Sequence, residues 1–273
     1  AVKRRGAKLI TIEALVPAIG SISNISNLAQ HHFATKPTAY AAAILGLLKA
    51  VVDQQILDAE LQAKAKPYFS DITANLQALS WEAIHAQTGM DSDSFAQAAQ
   101  VFGLGQKVVI LVGPGVLRSQ GGFGMTMNLL DLLILTGKLT KPGCGLAPLA
   151  EENNDQGAFE MGGIGAVLPG GASLADAEAR EALSQSWGRP LPDTAGSSLP
   201  KMIEDAQQGK LKALLVVGEN PLASLPPSSG IQAGLEKLEL LVCQELFLTE
   251  TAQQAHVVLP ACSYAEKDGT FTN

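Results

Sequence analysis

Charge is scarce in this 273-residue chain. Asp, Glu, Lys and Arg together make up 16% of it, against 47% hydrophobic residues. That balance excludes a disordered chain, which needs high charge and low hydrophobicity to stay open. Basic residues are the scarcer sign, 19 against 26 acidic, for a formal net charge of −7. A phosphate-backbone binder would carry a basic stripe, whereas the one basic cluster here is Lys3-Arg4-Arg5, so no nucleic-acid partner is expected. Cysteine is scarce as well. Cys144, Cys243 and Cys262 are odd in number and far apart. They form no C-x-x-C pair, so spacing supports neither a zinc site nor an iron–sulfur cluster. A reducing, cytoplasmic setting suits them. Long apolar runs are missing too: residues 41–52 and 129–135 fall well short of the roughly 18 to 20 that span a membrane, so no direct insertion is expected. The chain opens straight into a strand with no leader and no initiator Met, and reads as an excerpt of a larger protein.

What is present alternates between two periods. Residues 7–12, 107–112, 211–217, 238–243 and 257–259 are short apolar runs bounded by Gly, Pro or charge, the pattern of buried strands. Near-continuous runs of this kind suit a parallel sheet covered on both faces. Residues 38–56, 92–102, 123–136, 174–186 and 199–208 read as helices. The first carries Ala41, Ile44, Leu45, Leu48 and Val52 on one face, and the second follows the N-cap candidate Asp91. The third stops at Gly137, and the last is entered through Pro200. Strands alternating with helices predict an α/β fold with doubly wound, mostly parallel sheets. The expected organisation is a first half over residues 1–142, a glycine-rich connector with a helix over 143–194, and a second half over 195–273.

Three segments carry candidate chemistry. Gly113 and Gly115 follow a strand directly in KVVILVGPGVLR, where glycines allow close backbone approach to a phosphate or ring system, or simply turn the chain into a helix. No G-x-G-x-x-G opens the next helix, so the dinucleotide fingerprint is absent. In LLVVGENPLAS, Gly218, Glu219, Asn220 and Pro221 stand where a strand ends. There a carboxylate can accept from guanine N1–H and N2–H while an amide both donates and accepts, or the motif is an Asn-Pro turn beside a solvated Glu. The acidic stretch 151–162 lacks the ligand alternation of a calcium loop. Its Asn153, Asn154 and Gln156, next to Gly157, look like ligand or backbone hydrogen-bonding groups. His31 and His32 lie in a polar stretch, His85 on a helix face and His256 ahead of the last strand. No hydrolytic triad follows from their spacing, and no catalytic residue or metal ligand is assigned.

In order and spacing, these segments resemble the molybdopterin oxidoreductase family. It includes formate dehydrogenases and the large iron–sulfur subunit of NADH:quinone oxidoreductase. The matching pieces are the Gly6-Ala-Lys-Leu-Ile strand, the Lys36-Pro37-Thr38 helix entry, the Val-Gly-Pro-Gly turn and the tract 137–145. Asn153-Asn154-x-Gln156-Gly157, Val217-Gly-Glu-Asn-Pro221 and residues 244–273 complete them. The resemblance implies two Rossmann-like halves whose strand ends hold the guanosine and phosphate arms of a molybdopterin guanine dinucleotide. Gly113, Gly115, Gly218, Glu219, Asn220, Pro221, Glu245, Thr249 and Thr251 would line those arms. It places the molybdenum ligand and the iron–sulfur cysteines upstream of this stretch.

The chain departs from the family pattern in three places. Glu13-Ala-Leu-Val-Pro17 replaces the usual Asp-Pro-Arg, Glu245 the usual Asp, and His256 the usual Asp before Val-Val-Leu-Pro. Losing the Arg removes bidentate phosphate recognition, and losing the Asp removes an acceptor. The expected function is therefore a structural platform in the large iron–sulfur subunit of NADH:quinone oxidoreductase. Its partners would be the other subunits of a membrane-associated respiratory complex, on the cytoplasmic side of the inner membrane. The alternatives are the guanine-dinucleotide-binding part of a formate dehydrogenase and a stand-alone nucleotide-binding module.

Overall fold

The computed structural model describes residues 3–13, 29, 31–36, 38–149 and 152–272. Of the segments singled out above, Ala14–Pro17, Pro37, Glu151 and Asn273 lie outside the described residues. The chain divides into two compact units, Ala1–Glu151 and Glu152–Asn273.

In the first unit β1 (Ile10–Glu13) pairs in parallel with β2 (His31–Ala34), Ile10 opposite His31. The tract holding His31 and His32, read as a polar stretch, is thus a strand. Its alternate residue Phe33 is buried, and Thr11 Oγ1 lies 2.8 Å from His32 Nδ1 across the ladder. Five helices follow: α1 (Tyr40–Asp53), α2 (Ala59–Lys64), α3 (Lys66–Gln77), α4 (Trp81–Thr88) and α5 (Ser92–Leu104). After them come β3 (Val109–Val112), α6 (Pro114–Leu117), α7 (Gly122–Leu135) and β4 (Gly145–Pro148). β3 and β4 are parallel, Val109 opposite Gly145. The start of the expected connector is therefore a strand, recruited by backbone pairing that its Gly-Leu-Ala-Pro sequence does not announce.

Helix α1 is the hub of this unit, packed by α3, α4, α5 and α7. With neighbours on several sides it buries more than the single face its spacing predicts. Ala42, Ala43, Leu47, Ala50 and Val51 are buried alongside Ile44, Leu48 and Val52, while Ala41 is exposed. Such an all-round apolar helix belongs inside a core. Its buried Lys49 is accommodated by Asp53 at 3.4 Å and by the Trp81 ring 5.5 Å away. Local capping follows the sequence closely. Asp91 accepts from Ser94 N–H at 2.7 Å, Asp58 from Leu61 N–H at 2.9 Å, and Gly137 takes the left-handed conformation just past α7.

The second unit holds α8 (Asp155–Glu160), α9 (Ala177–Trp187), α10 (Leu199–Gln207), β5 (Ala213–Val217) and α11 (Pro221–Ser224). It continues with α12 (Ile231–Leu235), β6 (Leu240–Glu245), α13 (Glu250–Gln253) and β7 (Val257–Pro260). The strands form one parallel sheet in the order β5-β6-β7, with Val216 opposite Cys243 and Cys243 opposite Val258. The expected α/β architecture with parallel sheets is borne out. One face of this sheet is closed: Val216, Leu241 and Cys243 pack with Ile203, Ala206, Ile231, Leu235 and Ala252 from the helices. Cys243 is a core residue, and burial pushes its thiol up from the ordinary range. The alternate residues Leu215 and Val217 are 61% and 59% exposed, so among the described residues the expected cover on both faces is not found for this sheet. Among the described residues, the helices that bury apolar groups against this sheet gather on the face of Val216 and Cys243.

Lys138 supplies a test of the first unit. Its buried ammonium donates to Gly103 O at 3.2 Å and Gly105 O at 2.8 Å, tying down the end of α5, and lies 5.9 Å from the Phe102 ring. Replacing it with Met (K138M) leaves two carbonyls without that donor and is expected to cost about 1–3 kcal/mol in urea unfolding at neutral pH. Burial, with Lys141 nearby, holds the Lys138 pKa below its ordinary value in the folded state. In the window between that lowered value and about 10.4 the unfolded chain binds more protons. The margin of wild type over K138M therefore grows as pH rises through the window.

Candidate functional site

Parallel pairing brings the carboxyl ends of β5, β6 and β7 to one edge of the second unit. Ligands of open α/β sheets are held at such edges. Gly218 leaves β5 with φ +63 and donates its N–H to Gln244 O at 2.9 Å, so the ladder continues into the turn. A Cβ built on Gly218 would meet no atom within 4 Å, which leaves its backbone open to a close neighbour. Glu219 is exposed and accepts from Ser224 Oγ at 2.7 Å through Oε1. Glu245, at the end of β6, accepts from the N–H of Leu246 at 2.7 Å. Beyond it Leu246, Phe247 and Leu248 form an exposed apolar rim, Phe247 being 78% accessible.

Asn220 is the junction of this edge. Its Oδ1 accepts from Thr251 Oγ1 at 2.7 Å and from Thr251 N–H at 3.2 Å. Its Nδ2 donates to Glu250 Oε2 at 2.7 Å. Thr251 is fully buried and its Oγ1 accepts from Leu222 N–H at 3.2 Å, which brings the turn after Pro221 into the same network. Thr249 caps α13 by accepting from Ala252 N–H at 3.3 Å. Asn220, Pro221 and Thr251 are thus brought together, with Thr249 at the head of the same helix. The amide of Asn220 is spent on the protein rather than left for a base. Glu250, which sequence reasoning passed over, is its partner. The signal was present, since Glu250 follows the capping residue Thr249 at the first helical position. The Asn220 amide, together with the residue's own backbone N–H, holds the Glu250 carboxyl below the usual carboxylate range.

His256, too, is spent on the protein. Its Nδ1 accepts from Leu241 N–H at 2.9 Å while its own backbone N–H donates to Leu241 O at 2.9 Å. The imidazole thereby extends the β6–β7 ladder by one side chain.

Gly113 and Gly115 belong to the first unit, at the β3–α6 turn. Gly113 has an extended φ of −74, so no unusual backbone angle requires glycine there. A Cβ at either position would find open space. In the connector, Asn154 hydrogen-bonds backbone as its composition suggested, and Gln156 Nε2 donates to Glu160 Oε1 at 2.8 Å. Among the described residues no group of three or more His, Cys, Asp and Glu is placed to hold a metal ion. Among the same residues no helix is long and apolar enough to cross a membrane.

The family model for molybdopterin oxidoreductases matches residues 4–273. The chain belongs to the molybdopterin oxidoreductase family. It is 31% identical over 271 residues to the F420-dependent formate dehydrogenase subunit alpha of Methanocaldococcus jannaschii, covering 99% of this chain and 39% of that one. It is 30% identical, again over 271 residues, to formate dehydrogenase H of Escherichia coli, covering 99% and 37%. Among solved structures, acetylene hydratase from Pelobacter acetylenicus superposes with a TM-score of 0.66 at 18% identity, over 94% of this chain and 37% of that one. At that identity the likeness is one of fold. The chain spans about two fifths of the length of these curated relatives. Both are formate dehydrogenases, rather than the NADH:quinone oxidoreductase subunit that the departures at Glu13, Glu245 and His256 suggested.

The Asn220 network yields a stability test. Asn220→Ala strands the buried Thr251 hydroxyl and N–H and is expected to cost about 1–3 kcal/mol in chemical denaturation. Because Glu250 has a folded pKa below its unfolded value, its contribution is present above the ordinary carboxylate value and lost as pH falls through the depressed one. The margin of wild type over Asn220→Ala should therefore narrow on acidification through that range.

Proposed function

We propose that this chain is the guanine-dinucleotide-binding part of a molybdopterin enzyme of the formate dehydrogenase type. The carrying observation is the single edge of the β5-β6-β7 sheet, where Gly218, Glu219, Glu245 and the Asn220–Thr251 junction lie in a chain of this family. The residues fit such a group. Open backbone at Gly218 allows a phosphate or a planar ring to lie against the main chain of this edge, and the first unit has open backbone of its own at Gly113 and Gly115. Glu219 is exposed at the strand end; Ser224 Oγ takes one lone pair of Oε1, and the remaining lone pairs of the carboxylate are open to a guanine N1–H and N2–H pair. Asn220, Pro221, Thr249 and Thr251 shape and stiffen the edge on which those contacts would form.

A bound molybdenum pterin would supply a two-electron redox centre, as the oxidation of formate to carbon dioxide requires. The share of these residues is binding and orientation of the nucleotide arm. The other partners would be iron–sulfur and electron-accepting subunits, in keeping with relatives that are themselves named as subunits.

A second reading has one observation in its favour. Asn220 is satisfied internally by Glu250 and Thr251, as expected of a fold retained without its nucleotide, such as a platform in NADH:quinone oxidoreductase.

Metal and nucleotide analysis of the full protein separates the two. Near one molybdenum, with GMP released on hydrolysis of the cofactor, is the expected result. Absence of both would leave the platform. On the first reading Glu219→Ala lowers the guanine nucleotide content while leaving the unfolding midpoint nearly unchanged, because its side chain is exposed.

A further inference from the structure

The connector and the last residues of the chain, separate in sequence, are joined by a two-point clamp. Asn154 Oδ1 accepts from Thr272 N–H at 3.0 Å, and Thr272 O accepts from Gly157 N–H at 3.2 Å. Both hydrogen-bonding groups of the Thr272 main chain are thus held by the start of α8. The arrangement needs both connector residues. Asn154 sits at φ +74, a conformation that Asn tolerates better than most side chains. A Cβ on Gly157 would lie 2.1 Å from Asn154 Oδ1, so Gly157 leaves the space that the carboxamide fills.

The clamped segment is the one that leaves the candidate edge. It begins at Ala261, whose N–H donates to Glu245 O at 3.0 Å. It turns through Ser263–Glu266, where Ser263 N–H donates to Glu266 Oε2 at 2.8 Å. It is then caught at Thr272. The bonds of Ser263 and Glu266 are internal to the segment, so without Asn154 the bond from Gly157 N–H would be what remains of the clamp at Thr272.

We infer that Asn154 is a positioning residue for the strand-end site of this unit: its carboxamide fixes the segment 261–272 that leaves β7 beside Glu245, and so sets how firmly that edge holds its ligand. The inference rests on the nucleotide-binding reading above.

Three variants of the full protein test it. Asn154→Gly keeps the left-handed backbone without strain and removes the acceptor. Asn154→Asp restores an acceptor at the same place. Asn154→Ala removes the acceptor and strains the backbone, and serves as a severe control. Amide hydrogen exchange at Thr272 tests the clamp directly, whatever the ligand. An acceleration of tenfold or more in Asn154→Gly, reversed in Asn154→Asp, is expected, and unchanged exchange in Asn154→Gly would overturn the inference. Retention of guanine dinucleotide tests the positioning role. Release on prolonged dilution, read as GMP after hydrolysis, should be several-fold faster in Asn154→Gly and restored in Asn154→Asp. Faster exchange with unaltered release would reduce Asn154 to a local fastening and overturn the role. Wild-type protein free of guanine dinucleotide would instead remove the nucleotide-binding reading and the positioning role with it, a result read before any variant is made.

Discussion

Parallel pairing of β5, β6 and β7 is the constraint on which the second unit depends. Parallel strands cannot be joined by tight hairpins, so each must be followed by a crossover that returns the chain to the starting edge. The crossovers here carry α11, α12 and α13, and their residues close the apolar face of Val216, Leu241 and Cys243. The same geometry puts every strand's exit on one edge. Residues as distant in sequence as Gly218, Glu245 and Ala261 become neighbours through main-chain bonds, Gly218 to Gln244 and Ala261 to Glu245. The candidate edge is thus a by-product of how the sheet must be wound.

Polar groups at that edge serve the protein first. Thr251 is fully buried, so its hydroxyl and N–H need partners, and Asn220 Oδ1 supplies both. The other end of the Asn220 amide then meets Glu250, and the strand exit, α11 and the head of α13 are locked together. His256 follows the same logic, an imidazole nitrogen accepting from Leu241 N–H at the head of the β6–β7 ladder. Such a network keeps an edge rigid whether or not a ligand lies on it. It separates stiffening residues such as Asn220 and Thr251 from exposed ones such as Glu219.

Much of this was legible in sequence because it depends on local physics. The strands at β3, β5, β6 and β7 are β-branched runs closed by Gly, Pro or charge, and α5, α7 and α10 carry their caps and stops within a few residues. β2 and β4 were not legible. His-His-Phe-Ala and Gly-Leu-Ala-Pro have no apolar run and become strands through pairing with β1 and β3. The all-round burial of α1 was hidden for a related reason: its spacing shows one face, whereas packing by four helices uses several.

The sequence by itself determined the alternation of strands and helices, the glycines at the strand exits and the family, since these rest on residue type and spacing within short windows. Only the tertiary structure decided which polar groups are spent. That Asn220 serves Thr251 and Glu250, that His256 accepts from Leu241 N–H, and that Asn154 holds Thr272 are facts of partners up to 118 positions apart. A hydrogen bond extends about 3 Å and reaches only what the fold has already brought there.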